Sequence, residues 1–134
     1  MKLIADTNVL IRSIVDDDNS ETRQARNALT TADCIVIPLV TLCETVWVLR
    51  SSYRLSREQV IAVIVRLLGA EKIVIERMAA EAGLAVMNAG GDFADGVIAF
   101  EGRRLGGVVF ATFDKRAAAI LKKTDQAVLL LAAD

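Results

Sequence analysis

The chain has no histidine, one proline, two cysteines and only 4% aromatic residues among its 134 positions. Without imidazole there is no histidine general base, no nucleophile paired to histidine and no histidine ligand for zinc. Cys34 and Cys43 are too few for a cysteine metal site, and both lie in apolar segments, where a free thiol behaves as a small buried hydrophobe. Sixteen basic residues against seventeen acidic ones give a net charge of −1. Bulk charge therefore does not draw this chain to nucleic acid, and any such contact needs a local basic patch. Catalysis, if present, falls to carboxylates, hydroxyls, amines or a hard metal ion.

Long hydrophobic runs are also missing. CIVIPLVTLC and VLLLAA are too short to cross a bilayer, and MKLIADTN has an early acid and no extended apolar region before a cleavage site. A cytoplasmic protein with no membrane association is the expectation. With 54% hydrophobic residues and a mean hydropathy of +0.43, the chain has the composition of a folded protein. Its length suits one compact domain, residues 1–134, with a core that needs no staples.

Short apolar runs alternate with helical spacing along the chain. KLIAD (Lys2 to Asp6) predicts a strand, and TNVLIRSIV after it a helix. Asp16, Asp17, Asp18, Asn19 and Ser20 predict a loop and cap before a helix over Glu21 to Leu29. CIVI (Cys34 to Ile37) is a second strand stopped by Pro38, with LVTLCETVWVLRSSY a largely apolar helix after it. Ser56 and Gln59 form a capping-box pattern for a helix over Arg57 to Leu68, ended by Gly69. KIVI (Lys72 to Ile75) predicts a third strand, followed by a helix from Arg77 to Asn88. After Gly90 and Gly91, Phe93 to Leu105 reads as a helix, VVFAT (Val108 to Thr112) as a strand, Asp114 to Lys122 as a helix and AVLLL (Ala127 to Leu131) as the last strand. This alternation predicts an α/β fold with a parallel sheet flanked by helices.

In such a sheet, ligands bind beyond the carboxyl ends of the strands. Asp6 follows the first strand, Glu44 lies early in the helix after the second, Asp114 follows VVFAT, and Asp92 and Asp95 open the helix that leads into it. Each also has a plain structural reading. Asp6, Asp92 and Asp114 stand where helix N-caps belong, and Asp95 in a first turn suits the helix dipole. Glu44 has almost only apolar neighbours, and a buried ionised carboxylate is costly unless paired or metal-bound. Its alternative is a narrow polar stripe shared with Thr41 and Thr45. Converging carboxylates repel one another until a cation joins them, and an all-oxygen ligand set favours Mg²⁺ or Mn²⁺. A phosphate ester is the natural substrate of such a site.

LIADTNVLI, the glutamate of VTLCETVWVL, the DFADGVIA block and ATFDKR, in that order, resemble the PIN domain, and within it the VapC-type toxins of bacterial toxin-antitoxin pairs. The resemblance spans essentially the whole chain. It implies a three-layer fold with a central, mostly parallel five-stranded sheet, and a metal-dependent endoribonuclease held in check by a cognate antitoxin. The family's acidic positions fall on Asp6, Glu44, Asp95 and Asp114. Asp6 and Asp95 would hold the metal, while Thr7, Asn8 and Thr112 take the neighbouring polar positions. Gly96 departs from the alanine of many relatives, at a cost of roughly 1 kcal/mol in helix propensity.

Candidate phosphate contacts are Lys115 and Arg116 beside Asp114. Arg12, Arg50, Arg54, Arg103 and Arg104 are further cations, and Arg103 and Arg104 read first as ordinary helix-end charges. Trp47 and Tyr53 have the chemistry to stack on bases, but Trp47 in an apolar helix reads first as core or interface. The helices carrying Val40, Trp47, Val60 and Ile64 hold surplus apolar surface, which together with the resemblance implies a homodimer. Two other readings fit parts of the pattern. A receiver-type phosphotransfer domain shares the acidic Mg²⁺ pocket but lacks its aspartate after the middle strand and its late lysine. A non-catalytic PIN-like binding module would keep the acids only as caps.

Overall fold

The computed structural model describes residues 1–15 and 18–132; the expected loop at Asp16 and Asp17 lies outside them. It divides into two compact units, Met1–Glu76 and Arg77–Asp134.

The first unit runs β1 (Lys2–Ile4), α1 (Thr7–Ile14), α2 (Ser20–Thr31), β2 (Cys34–Val36), α3 (Leu39–Ser51), α4 (Arg57–Gly69) and β3 (Ile73–Val74). Its three strands are parallel in the order β1-β2-β3, with Leu3 opposite Ile35 and Ile35 opposite Ile73. Strand β1 is shorter than KLIAD suggests. Ala5 still donates its N–H to Val36 O at 2.9 Å, but Asp6 has already turned out to cap α1. Leu10, Ile37, Leu42, Leu49, Val60 and Ile64 are fully buried, each contributing about 1.5–3 kcal/mol. The Thr41 hydroxyl donates to Ala5 O at 3.0 Å and anchors the start of α3 to the end of β1. The Ser56 and Gln59 capping box forms as expected, each side chain meeting the other residue's backbone N–H. Asn19 caps α2 through Thr22 N at 2.9 Å, and Lys72 donates to Thr30 O and Ala32 O at its other end.

The second unit runs α5 (Arg77–Asn88), α6 (Phe93–Arg104), β4 (Val109–Thr112), α7 (Lys115–Lys123) and β5 (Ala127–Leu130). Its two strands are parallel, Phe110 opposite Val128. Those two side chains pack on a core of Val86, Ala99, Ile120 and Leu121. Asp114 precedes α7 as its N-cap and is not its first helical residue. Among the described residues, all strand pairing is parallel, and the strands form one sheet of three and one of two. The α/β class is therefore as the alternation predicted.

Gly96 has a packing role that its propensity conceals. A Cβ built there would stand 2.4 Å from Ala82 O and 2.7 Å from Gly83 Cα, so α6 lies against the backbone of α5 at this point. Gly83 is reciprocally close, its missing Cβ falling 2.6 Å from the Phe93 ring. The glycine at 96 thus holds the turn that carries Asp95 in place.

Candidate functional site

The candidate side chains form two groups, one in each unit. In the first, Asp6 ends β1 in extended backbone and its Oδ1 accepts from Asn8 N at 2.7 Å and Val9 N at 3.4 Å. The capping reading of Asp6 is correct, and because both bonds fall on Oδ1 it does not compete with a ligand at Oδ2. One residue on, the Thr7 hydroxyl donates to Glu44 Oε2 at 3.2 Å. This bond brings the second turn of α3 to the start of α1, so Asp6, Thr7, Asn8 and Glu44 form one cluster at the carboxyl end of β1.

Glu44 is exposed, against the expectation of burial. Thr41 and Thr45 do not share its stripe, since both are buried, and Thr45 donates to Thr41 O at 2.7 Å. The apolar residues that flank Glu44 in sequence divide between two faces. Leu42, Val46 and Leu49 point into the core, whereas Val40 and Trp47 are 69% and 68% exposed on the side where Glu44 lies. Of the core and interface readings of Trp47, exposure removes the core one and leaves the interface one. Val60 and Ile64 are core residues of α4 and add nothing to that exposed surface.

In the second unit, Asp95 sits partly buried in the first turn of α6. Burial pushes its carboxyl above the ordinary aspartate range, and the charges of Asp92 and Asp114 push it further. Asp92 occupies the N-cap position, but its side chain makes no capping bond; only its carbonyl accepts, from Asp95 N at 3.1 Å. Its capping reading is thus corrected, and its effect is electrostatic. Asp114 does cap, its Oδ1 accepting from Ala117 N at 3.0 Å, while its own N–H donates to Thr112 Oγ1 at 3.0 Å. Thr112 therefore orients the chain that presents Asp114. Arg116 donates to Gly90 O at 3.1 Å and ties the start of α7 to the turn before α6. Lys115 is exposed beside them.

Two acids in this unit, Asp92 and Asp114, raise the field around the partly buried carboxylate of Asp95, and every candidate donor is oxygen. That chemistry fits a hard divalent cation. Within neither unit do three acidic or thiol side chains among the described residues stand close enough to ligate one ion.

Several other cations have structural duties. Arg12 pairs with Glu21 at 3.1 Å, Arg50 donates to Leu55 O, Arg103 to Gln126 Oε1 and Arg104 to Glu101. Arg103 and Arg104 lie in the last turn of α6, as ordinary helix-end charges do. Thr41 and Gly96 were not legible as supports of the site. A threonine in the first turn of an apolar helix was a usable signal for the first, and nothing local distinguished the second.

The PIN domain family model matches residues 3–123 of the chain. No curated protein matches it.

Proposed function

Because the chain belongs to the PIN domain family, whose members are generally metal-dependent nucleases, we propose that it is an Mg²⁺-dependent endoribonuclease and the toxin of a toxin-antitoxin pair. The observation that carries this reading is Asp95, a partly buried carboxylate whose ionised form is opposed by Asp92 and Asp114. A cation offsets that repulsion, and without one the arrangement costs stability and does nothing.

As part of the same proposal, residues 1–134 form a single domain with one mostly parallel five-stranded sheet, and its catalytic acids are Asp6, Glu44, Asp95 and Asp114. Asp6 and Asp95 would hold Mg²⁺, with Mn²⁺ as a substitute, and Asp114 would complete the oxygen set. The bound ion supplies Lewis acidity that lowers the pKa of water and offsets charge on the leaving oxygen. Glu44, steadied by Thr7, takes the proton of the attacking water. Asn8 and Thr112 hold the two aspartate-bearing turns, and Lys115 and Arg116 receive the phosphate. Attack by an external water leaves a 5′-phosphate and a 3′-hydroxyl.

The absence of histidine supports a carboxylate site over a histidine-based ribonuclease. No helix among the described residues is long and apolar enough to cross a membrane, which is compatible with a cytoplasmic site of action. The exposed Val40 and Trp47 on α3 support a homodimer. The antitoxin would be a small protein encoded beside this one.

Incubation of the purified chain with RNA tests the reading. Cleavage is expected with Mg²⁺ or Mn²⁺, lost in EDTA and lost in Asp6→Asn and Asp95→Asn. A 2′,3′-cyclic phosphate product or full activity in EDTA would overturn it. An inactive wild type with either metal would assign the chain to the non-catalytic binding modules instead.

A further inference from the structure

An open cleft of about 370 Å³ lies between α1 and α2 within the first unit. Its mouth is beside the candidate site, since it begins at Asn8, whose backbone N–H donates to Asp6 Oδ1 at 2.7 Å. Asn8 and Arg12 lie one turn apart on α1 and line one wall; Glu21, Gln24, Ala25 and Ala28 follow helical spacing on α2 and line the other. The two alanines supply small apolar surface. Arg12 and Glu21 meet across the cleft at 3.1 Å, so their charges cancel. Gln24 is steadied by a bond from Nε2 to Ser20 Oγ at 2.9 Å, and the two amides, Asn8 and Gln24, present both donors and acceptors.

Among the described residues the lining therefore has no net charge with which to hold a phosphate or an acidic peptide. It suits a flat, neutral ring with hydrogen-bonding groups on its edge, and its volume lies within the range of small-molecule sites, about 300–1,000 Å³. A splayed-out base of single-stranded RNA has that chemistry. We propose that the cleft between α1 and α2 is a nucleobase subsite that selects the sequence at which RNA is cut. The proposal rests on the nuclease reading above for its biological meaning and on the cleft itself for its ligand.

Two measurements on the full chain separate the subsite from the nuclease reading. In the first, a randomised single-stranded RNA pool is cut with Mg²⁺ by the wild type and by Gln24→Ala and Ala28→Leu. The expected wild-type preference for one base near the cut flattens about tenfold in both variants. In the second, adenosine, guanosine, cytidine and uridine are titrated separately into metal-free protein, and the α1 and α2 backbone amides are followed by NMR. One nucleoside is expected to shift them in the wild type and not in Ala28→Leu; the exposed Gln24→Ala repeats the test should Ala28→Leu fail to fold. A wild type that cuts no RNA but shows these shifts keeps the subsite and loses the nuclease reading. RNA cleavage whose base preference survives both variants, with no nucleoside moving these amides, overturns the subsite alone. Shifts produced by the protein encoded beside this chain, with none from any nucleoside, would assign the cleft to a protein partner and overturn it equally.

Discussion

The Thr7 hydroxyl donates to Glu44 Oε2 at 3.2 Å, joining residues 37 positions apart. It is a contact between the residue after the first candidate ligand and the acid proposed to take a proton. Thr7→Val is expected to lower kcat about tenfold by releasing Glu44, with KM little changed and Thr7→Ser close to wild type. Because Glu44 is exposed, stability should move by no more than about 0.5 kcal/mol. Steady-state cleavage kinetics with a melting curve check both halves, and an unchanged kcat removes Thr7 from the mechanism.

Asp6 and Asp114 cap helices through Oδ1, so capping and catalysis can be separated by choosing the substitution. Asparagine caps about as well as aspartate. Asp6→Asn and Asp114→Asn should melt like the wild type without metal and lose at least about 100-fold in cleavage. Asp6→Ala and Asp114→Ala should lose about 1 kcal/mol of stability as well. Equal destabilisation by asparagine and alanine would show that the carboxylate charge, and not the cap, supports the fold.

Asp95 predicts a pH dependence of defined sign. Its folded pKa is raised by burial and by Asp92 and Asp114, whereas the unfolded value is about 3.9. Between that value and the raised one the native state binds more protons than the unfolded chain. This contribution to stability therefore falls as pH rises through that window and stays lower above it. Asp95→Asn should remove this slope and raise the metal-free Tm at neutral pH. Mg²⁺ should raise the wild-type Tm and leave that of Asp95→Asn unmoved. Asp92→Asn should remove part of the same slope at little cost in stability, because its side chain makes no capping bond. A wild-type Tm flat from acid to neutral pH contradicts the arrangement.

Gly96→Ala sets two opposed effects against each other. Helix propensity favours alanine by about 1 kcal/mol, but its Cβ would stand 2.4 Å from the carbonyl oxygen of Ala82, and overpacking of this kind costs about 1–3 kcal/mol. The backbone of α5 cannot yield as a side-chain tip would, so net destabilisation is expected by chemical denaturation. Cleavage should fall further than stability, because the displaced turn carries Asp95. A stabilised variant would mean that α5 and α6 separate easily.

Much of this chain was determined locally. The strand and helix order follows from apolar spacing, and the starts of α1, α4 and α7 follow from Asp6, Ser56 with Gln59, and Asp114, because a cap is a bond between residues two or three positions apart. The absence of histidine likewise restricted the chemistry to carboxylates before any fold was known. Tertiary structure decided the rest. Helix α3 is apolar around most of its circumference, so its periodicity has no phase. Only packing against α1 and α4 buried Leu42, Leu49 and Thr41 and left Glu44 and Trp47 outside. Asp92 and Asp95 look alike in sequence, and they differ because burial and the nearby charge of Asp114 act on Asp95. Gly96 reads as a helix defect until α5 lies against it. Sequence resolves what neighbours in the chain do to one another; exposure, charge coupling and close approach depend on neighbours in space.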